Sequence, residues 1–472
     1  MSVHLIICGA QALSLALILS CAPPDQSNDL WDHQQRDMGI DPYANMLDMG
    51  AAQSMAAYGP IPLAGGETTH TVTGIGAFVQ PAANLSLRRR GNFEAGLQFF
   101  QLVWEPSPNR SEIDGLGPTF NARSCVACHE RNGRGGTPFE GRAGMLLRLG
   151  NIYGEEDPNY GGQLQTSSVA GVAVEGDLIA ELGQPFNHPS GVLMTPVRYY
   201  ADRLSLGPLA AEIKQSPRIT PQLVGMGLID AIPAESIIAL EDLQDLDQDG
   251  ISGRAGRDHL GVLRFGWKST QRSVLTQCAS AFVNDMGITS TLNPLENCPP
   301  TQESCRAASS GNLDIDEVRL QATATYVSLL GVPAHRHASA DEYHQGARLF
   351  VQAGCASCHQ PDFVTGQSVE PELAYQTIWP YSDFLLHDMG NALDDGVAEG
   401  DAASSEWRTP PLWGLGLLSE VHGTLHLMHD GRARSIEEAI LWHGGEAARS
   451  VSSFVALEPS QRIELLNFVN AL

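Results

Sequence analysis

Cys125-Val-Ala-Cys128-His129 and Cys355-Ala-Ser-Cys358-His359 are two copies of one pattern, Cys-x-x-Cys-His. Two thiols on one helical turn can reach both vinyl groups of a porphyrin, and the next histidine then lies under the iron as an axial ligand. Two Cys-x-x-Cys pairs could instead form a four-thiolate zinc site. The histidine directly after each pair favours two covalently bound c-type haems, with His129 and His359 as iron ligands.

Helical patterns flank both motifs. Apolar residues at helical spacing precede each motif and also close each region, in segments 92–100, 316–330, 341–354 and 458–470. The 316–330 helix should stop at Gly331 and Pro333. Because a helix–haem–helix arrangement occurs twice, we expect a mainly α protein with two cytochrome c-like domains. These would span residues 76–335, enlarged by a loop-rich insertion, and residues 336–472.

The N-terminus has features of an export signal. Residues 5–19 are uncharged and mostly apolar, and Ser20-Cys21 follows. A small residue before cysteine resembles a bacterial lipobox, although no Lys or Arg precedes the apolar run. This predicts a signal peptide over residues 1–21, lipidation of Cys21 and a tether over residues 22–75. No later segment has the roughly 18 apolar residues of a membrane span, so we expect a periplasmic or cell-envelope protein held only by its lipid anchor.

The charge balance limits the class of partner. The 472 residues include 28 Lys and Arg against 54 Asp and Glu, a formal net charge of −26. A surface this acidic argues against nucleic acid and against anionic lipid head groups. It suits an electron-donor protein or a small redox partner; the oligomeric state is not indicated.

One acidic segment begins as a calcium loop does. In such a loop, side chains at every second position supply oxygen ligands, followed by one backbone carbonyl. Here these would be the carboxylates of Asp245, Asp247 and Asp249 and the carbonyl of Ile251. The twelfth position is Gly256, so the loop is not a complete EF-hand, and Asp258 or Glu241 would have to supply the missing oxygen. A solvated aspartate-rich turn is the alternative.

Three cysteines remain outside the haem motifs and the signal. In an oxidising compartment Cys298 and Cys305 are the expected disulfide, because they enclose a short loop. Cys278 would then be the odd thiol, and we expect all three to be structural.

Most of the chain resembles one family. The matching stretches are residues 120–125, 161–165, 216–221, 249–254, 264–268, 386–390, 406–414 and 429–447. They resemble the dihaem oxidoreductases labelled "predicted thiol oxidoreductase", which belong with the bacterial dihaem cytochrome c peroxidases and MauG. The resemblance covers roughly residues 75–472 and implies that the C-terminal haem takes electrons from a donor. The N-terminal haem would react with peroxide or oxidise a partner.

The same resemblance bears on the sixth iron ligands. The peroxidases carry a methionine ligand of the C-terminal haem at the position of His443, so that haem would be bis-histidine and lower in potential. For the N-terminal haem the candidates are His188, Met194, Met226 and His259, and no motif places the distal acid.

Other residues near the family motifs have expected roles. His429 should bind a propionate or order its loop, and His387 should be structural. Trp267, Trp413 and Trp442 could carry an electron between haems or belong to the core. Two alternatives to a peroxidase-like enzyme stay open: an electron-transfer cytochrome with two six-coordinate irons, and a cell-surface accessory protein in metal uptake.

Overall fold

The computed structural model describes residues 60–107 and 113–472. The described part contains twelve α-helices. In chain order they are α1 Leu87–Gln101, α2 Cys125–Cys128, α3 Met226–Asp230, α4 Ala234–Ile238, α5 Val274–Met286, α6 Glu303–Ala308, α7 Glu317–Ser328, α8 Ala340–Gln352, α9 Leu418–His422, α10 Ile436–Trp442, α11 Ala448–Ala456 and α12 Pro459–Ala471.

Sixteen short strands in the described part pair into two-stranded sheets. They are β1 Glu105–Pro106, β2 Asp114–Leu116, β3 Thr119–Phe120, β4 Met145–Gly150, β5 Ser167–Ser168, β6 Asp177–Leu182, β7 Phe186–Asn187, β8 Leu193–Met194, β9 Val197–Asp202, β10 Lys214–Ile219, β11 Arg257–Asp258, β12 Gly261–Val262, β13 Phe363–Val364, β14 Thr377–Ile378, β15 Leu386–Asp388 and β16 Glu406–Arg408. The fold is therefore mixed, and the expectation of a mainly α protein is confirmed only in part.

The helix pairs around the two motifs pack in the same way. Helix α1 crosses α7 at Gly96, where a Cβ would lie 2.1 Å from the Ala322 carbonyl oxygen. Helix α8 crosses α12 at Gly346, where a Cβ would lie 2.4 Å from Phe468. At both crossings only glycine allows the backbones to approach so closely. The four helical segments expected from the sequence are confirmed.

The segment between the first motif and α7 contains most of the strands. Strands β4 and β10 pair antiparallel, with Arg148 opposite Ser216. Along β4, Leu147 and Leu149 are buried in a core cluster with Tyr160 and Ile219, while Leu146 and Arg148 point to the opposite face. This two-residue alternation positions the arginine for the site described below.

Helix α5 follows this sheet and joins a second core cluster. Its Ser273 cap accepts a hydrogen bond from Thr276 N at 3.2 Å. Ala279, Phe282 and Met286 are buried with Trp104. Beyond α5, Cys298 and Cys305 form the expected disulfide, with Cα atoms 5.7 Å apart.

Several expectations concern the chain ends and domain limits. The signal peptide, Cys21 and most of the tether lie outside the described residues. The described residues form one compact unit, and the boundary between residues 335 and 336 stays a prediction. Among the described helices, none is both long and apolar enough to cross a bilayer.

Candidate functional site

The first Cys-x-x-Cys-His motif opens into a cavity of about 1710 Å³. Cys125 and Cys128 line it from α2, and His129 follows as the helix cap. Burial raises the pKa of the Cys128 thiol to about 12, so the sulfur stays protonated until it reacts. The cavity therefore brings both thiols and the histidine to one space.

The ring of His129 is oriented for metal ligation. Its Nδ1–H donates to the Pro221 carbonyl at 3.0 Å, which leaves the Nε2 lone pair for the cavity. Burial lowers the pKa of His129 to about 4. The imidazole is neutral at physiological pH, as an iron ligand must be.

A polar network forms another part of this cavity's lining. Arg148 pairs with Glu399 at 3.3 Å, and Arg218 pairs with Asp395 at 2.6 Å. Burial would raise the pKa of Glu399, but Arg148 and Arg218 outweigh it and lower the pKa. Glu399 therefore stays ionised, and the two arginines hold fixed positive charge at the cavity.

Asp285 is the carboxyl in this lining that can hold a proton. It lies on the face of α5 that also brings Gln277, Cys278 and Ala281 to the cavity. Gln163 Nε2 donates to Asp285 Oδ1 at 3.0 Å. Burial nonetheless raises the pKa of Asp285 to about 6, so this carboxyl keeps its proton to a higher pH than a free aspartate does.

The second motif opens into a cavity of about 1340 Å³ that is lined by four histidines, His359, His387, His429 and His443. His359 Nδ1–H donates to the Tyr381 carbonyl at 2.8 Å, and His443 Nδ1–H donates to the Ala439 carbonyl at 2.6 Å. In both rings Nε2 is left for the cavity. Burial lowers the pKa of His359 to about 4, and His443 is close enough to contribute to that shift. Burial also lowers the pKa of His443.

His387 lines the second cavity as a charged group. Its Nε2 and Nδ1 donate to Asp383 at 2.8 Å and to Glu446 at 2.7 Å. Burial opposes the charge, but the two carboxylates raise the pKa of His387 well above its usual value. It lies 3.8 Å from the Cys358 sulfur and fits the structural role expected from the sequence.

His429 stacks on Trp407 in the same cavity, with ring centroids 3.5 Å apart. Its carbonyl accepts from Ile219 N at 2.7 Å. On the other side of Trp407, Lys268 and Arg218 place cations 4.1 and 4.4 Å from the ring centroid. Two roles were expected for His429, propionate binding and ordering of its loop. These contacts fit the second.

The two cavities share part of their lining. The shared residues are Arg134, Trp267, Arg408, Pro410 and Pro411. Arg134 lies over the Trp267 ring at 5.3 Å, and Trp267 Nε1 donates to the Ile219 carbonyl at 2.9 Å. Of the three tryptophans singled out by sequence, Trp267 is the one at both cavities. Trp413 is buried core, and Trp442 packs against Phe186 outside.

The shared arginines suit the propionates of haem. Arg134 donates to the carbonyls of His426 and Met428, and Arg408 donates to those of Gly266 and Thr409. Burial lowers the pKa of both guanidiniums to about 10, so both remain charged. Buried cations held by neutral carbonyls need counter-charge, and haem carboxylates would supply it. Thiols, neutral imidazoles and buried cations together fit the group.

Of the four candidates for the sixth ligand of the first iron, Met226 alone lines the first cavity. His259 is exposed in the β11–β12 turn, His188 lies in the β7–β8 hairpin, and Met194 is buried on β8 away from the lining. Met286 also lines the first cavity and was missed because its helical position reads as ordinary core.

The aspartate-rich loop gathers a different set of carboxylates from the one expected. Oxygens of Asp242, Asp245 and Asp247 lie within 4.8 Å of one another. Asp249 instead accepts from Ile251 N at 2.8 Å. The two candidates for the missing oxygen are paired elsewhere, Glu241 with Arg257 and Asp258 with Arg272, each at 2.6 Å.

This loop is connected to the second cavity. Ser252 Oγ donates to Glu446 Oε1 at 3.0 Å, and Glu446 binds His387. A change in the loop can therefore reach the second motif through three side chains.

Cys278 lies at the first cavity rather than in a separate structural position. Its side chain is close enough to Cys125 to raise the pKa of that thiol, after burial itself. Burial raises the pKa of Cys278 to about 12, so it is an unreactive thiol. The sequence alone does not place Cys278 at the first cavity, because that position depends on how α5 packs beside the first motif.

The polar lining of the first cavity was not identified from the sequence. Arg218 and Gln163 lie within stretches that resemble the family, but no spacing linked them to Cys125. Asp395 and Glu399 are distant in the chain and meet Arg218 and Arg148 only through the fold. Comparison with known proteins gives the remaining information.

Residues 58–152 and 204–472 match a family described as "Di-haem oxidoreductase, putative peroxidase". The unmatched residues 153–203 contain the β6–β9 ribbon with the β7–β8 hairpin at its tip. A search of curated proteins gave no match. A solved chain of Kuenenia stuttgartiensis hydrazine synthase is similar over 90% of this chain and 98% of its own, with 14% identity and a TM-score of 0.33.

The family match spans both Cys-x-x-Cys-His motifs, the second cavity, the shared lining and the lining of the first cavity except Gln163, and its name agrees with two haem sites in one chain. The chain belongs to the di-haem oxidoreductase family.

Proposed function

We propose that this protein is an exported, peroxidase-like haem oxidoreductase that takes electrons at the C-terminal haem and reacts at the N-terminal haem. The observation that carries the proposal is the unequal histidine content of the two cavities. The second contains His443 together with His359, whereas the first has His129 and a polar lining. A coordination position left to substrate is what distinguishes an enzyme from an electron carrier.

The ligands support a division of labour. Haem at each motif would be held by Cys125 and Cys128 with His129, and by Cys355 and Cys358 with His359. With His443 as its second ligand, the C-terminal iron would be saturated and lower in potential, which suits electron transfer. The redox chemistry itself is supplied by the bound haem.

The first cavity has the residues that peroxide cleavage requires of a protein. Breaking the O–O bond needs a proton for the leaving oxygen. Asp285 can hold that proton because of its raised pKa, and Gln163 fixes the carboxyl at 3.0 Å. Arg148 and Arg218 favour negative charge developing in the same space.

Trp267 supports transfer between the sites. Its ring borders both cavities and is fixed by one hydrogen bond and by the Arg134 contact. An aromatic ring at this position shortens the gap that an electron has to cross.

Three parts of the proposal rest on sequence. Cys21 would carry a lipid after export, anchoring the protein in the cell envelope. The donor would be a protein or small molecule able to approach a surface of net charge −26. Calcium would bind the aspartate-rich loop, with Asp242 joining Asp245 and Asp247.

The decisive experiment uses haem-loaded protein made with a cytochrome c maturation system. Optical and EPR spectra are recorded in the ferric and half-reduced states before and after hydrogen peroxide. We expect a high-spin signal, present at once or on half-reduction, that responds to peroxide.

The second candidate is an electron-transfer cytochrome, favoured by Met226 and Met286 at the first cavity. Two low-spin haems that are inert to peroxide in every redox state would establish it and reject the enzyme.

A further inference from the structure

The segment between α7 and α8 carries two buried histidines outside both haem cavities. Neither ring nitrogen of His335 or of His337 has a hydrogen-bond partner among the described residues. Buried polar groups are nearly always satisfied, and an unmade hydrogen bond costs about 1–3 kcal/mol. Four orphaned nitrogens in adjacent rings are therefore an anomaly that calls for a ligand.

The two rings are close enough to share one ion. Their centroids are 6.0 Å apart with an interplanar angle of 27°. A metal about 2.0–2.1 Å from one nitrogen of each imidazole places the centroids roughly 5–6 Å apart. The observed 6.0 Å lies at the upper end of that range, so the centroid spacing is compatible with one shared ion.

The backbone holds this pair in place. Ala334 N donates to the His70 carbonyl at 2.8 Å, and Arg336 N donates to the Ala471 carbonyl at 2.7 Å. The Arg336 side chain pairs with Glu420 at 3.6 Å and also reaches the Asn470 carbonyl. The Arg336 charge nevertheless lies close enough to both rings to contribute to lowering their pKa, and its pairing with Glu420 offsets part of that charge.

Aromatic rings surround the pair. Tyr343 lies edge-on to His335 at 5.6 Å and to His337 at 5.1 Å, and Phe468 stacks on His337 at 5.3 Å. Burial lowers the pKa of His335 to about 3 and that of His337 to about 4. Both imidazoles are therefore neutral and offer lone pairs at physiological pH.

We propose that His335 and His337 form a binding site for a late first-row transition-metal ion, of which copper binds most tightly. Imidazole nitrogen suits Cu, Zn and Ni, and divalent affinity peaks at copper in the Irving–Williams order. The orphaned nitrogens and the 6.0 Å spacing carry the proposal. It is independent of the reaction proposed for the haems.

The site lies near the second haem motif. Tyr381 contacts His335 at 6.2 Å between centroids, and its carbonyl binds His359 Nδ1 at 2.8 Å. Tyr381 would therefore be the one residue between a metal at this site and His359 of the second motif.

The test is a titration of haem-loaded protein with Cu2+ and separately with Zn2+, followed by calorimetry and by metal analysis after dialysis. We expect one equivalent of copper beyond the two irons. His335→Ala and His337→Ala should each weaken copper binding more than about 100-fold, since even outer-shell changes cost 10–100-fold. His259→Ala, which removes an exposed histidine, is the matched control and should keep wild-type affinity.

X-ray absorption of the copper-loaded wild-type protein gives an answer that does not depend on variants folding. A shell with two imidazole nitrogens supports the site, whereas an all-oxygen shell overturns it. Equal copper affinity in wild type and the two alanine variants, or no saturable equivalent in wild type, also overturns it.

Discussion

The two cavities differ in what lines them besides the Cys-x-x-Cys-His motif. The second brings a further imidazole, His443, on a helix cap. The first brings an ion-pair network built from the β4–β10 sheet and from distant loops. The comparison shows how two copies of one motif can receive different surroundings without any change in the motif itself, which is the basis of the two roles that we propose.

The largest expected effect concerns the ion-pair network. Arg218→Met should destabilise the protein by about 3–5 kcal/mol because it leaves a buried charge on Asp395; the two side chains are only 6% and 7% exposed. Urea unfolding of the holoprotein measures this. Arg203→Met, whose partner Asp177 is solvent-accessible, should change stability by about 0–1 kcal/mol. Equal losses in the two variants would mean that the network does not support the first cavity.

Asp285→Asn should slow the reaction with peroxide by about 100-fold or more, because a proton donor contributes 10²–10⁴-fold. The wild-type rate should fall as pH rises through about 6, and the variant's rate should be flat. Stopped-flow kinetics across pH 5–8 checks both.

The stability of the same variant separates catalysis from folding. The pKa of Asp285 is raised on folding, so its ionised form costs stability above about pH 6 and costs nothing below the unfolded pKa. Asp285→Asn should therefore be more stable at pH 8 while it is slower. Asp230→Asn changes another buried carboxyl with a raised pKa, which lies outside the first cavity, and should leave the rate unchanged. A slow Asp230 variant would contradict the assignment.

His443→Met should raise the potential of the C-terminal haem by on the order of 0.1 V, because a thioether stabilises ferric iron less than imidazole does. Spectroelectrochemistry resolves the two haems, and the potential of the N-terminal haem should shift by less. An unchanged C-terminal potential would remove His443 from the iron.

The smallest effect concerns the aspartate-rich loop. Chelating calcium should lower stability by about 1 kcal/mol at a few times the dissociation constant, and should perturb the spectrum of the C-terminal haem more than that of the N-terminal haem. Asp247→Asn should abolish the response. Asp258→Asn should retain it, since Asp258 is bound to Arg272. Thermal melts with and without chelator measure this response. The same change in melting temperature in both variants would contradict the calcium site.

The sequence predicts the features that are local in the chain. The Cys-x-x-Cys-His spacing, the flanking helices and the Cys298–Cys305 disulfide each involve residues close together, so their patterns are visible directly. The resemblance to the family also predicted His443 as a ligand, and the fold brings His443 into the same cavity as His359. The ligand role of His443 stays a prediction.

What the sequence could not predict arises from long-range contacts. Asp395 and Glu399 meet Arg218 and Arg148 through strand pairing and loop packing, and no periodicity records such pairs. Nine of the sixteen described strands have only two residues, which is too short for a clear alternation. Asp242 joined the carboxylate cluster in place of Asp249 because the turn directs Asp249 toward its own backbone.

The shared lining formed by Arg134, Trp267 and Arg408 has a thermodynamic consequence. A positive charge placed between two redox centres interacts with both, and so does any charge that either centre gains. By reciprocity, reduction of one haem must shift the midpoint potential of its neighbour by the same free energy that the neighbour's reduction imposes in return. The two haems are therefore expected to titrate as an interacting pair, whose apparent midpoints belong to the whole protein.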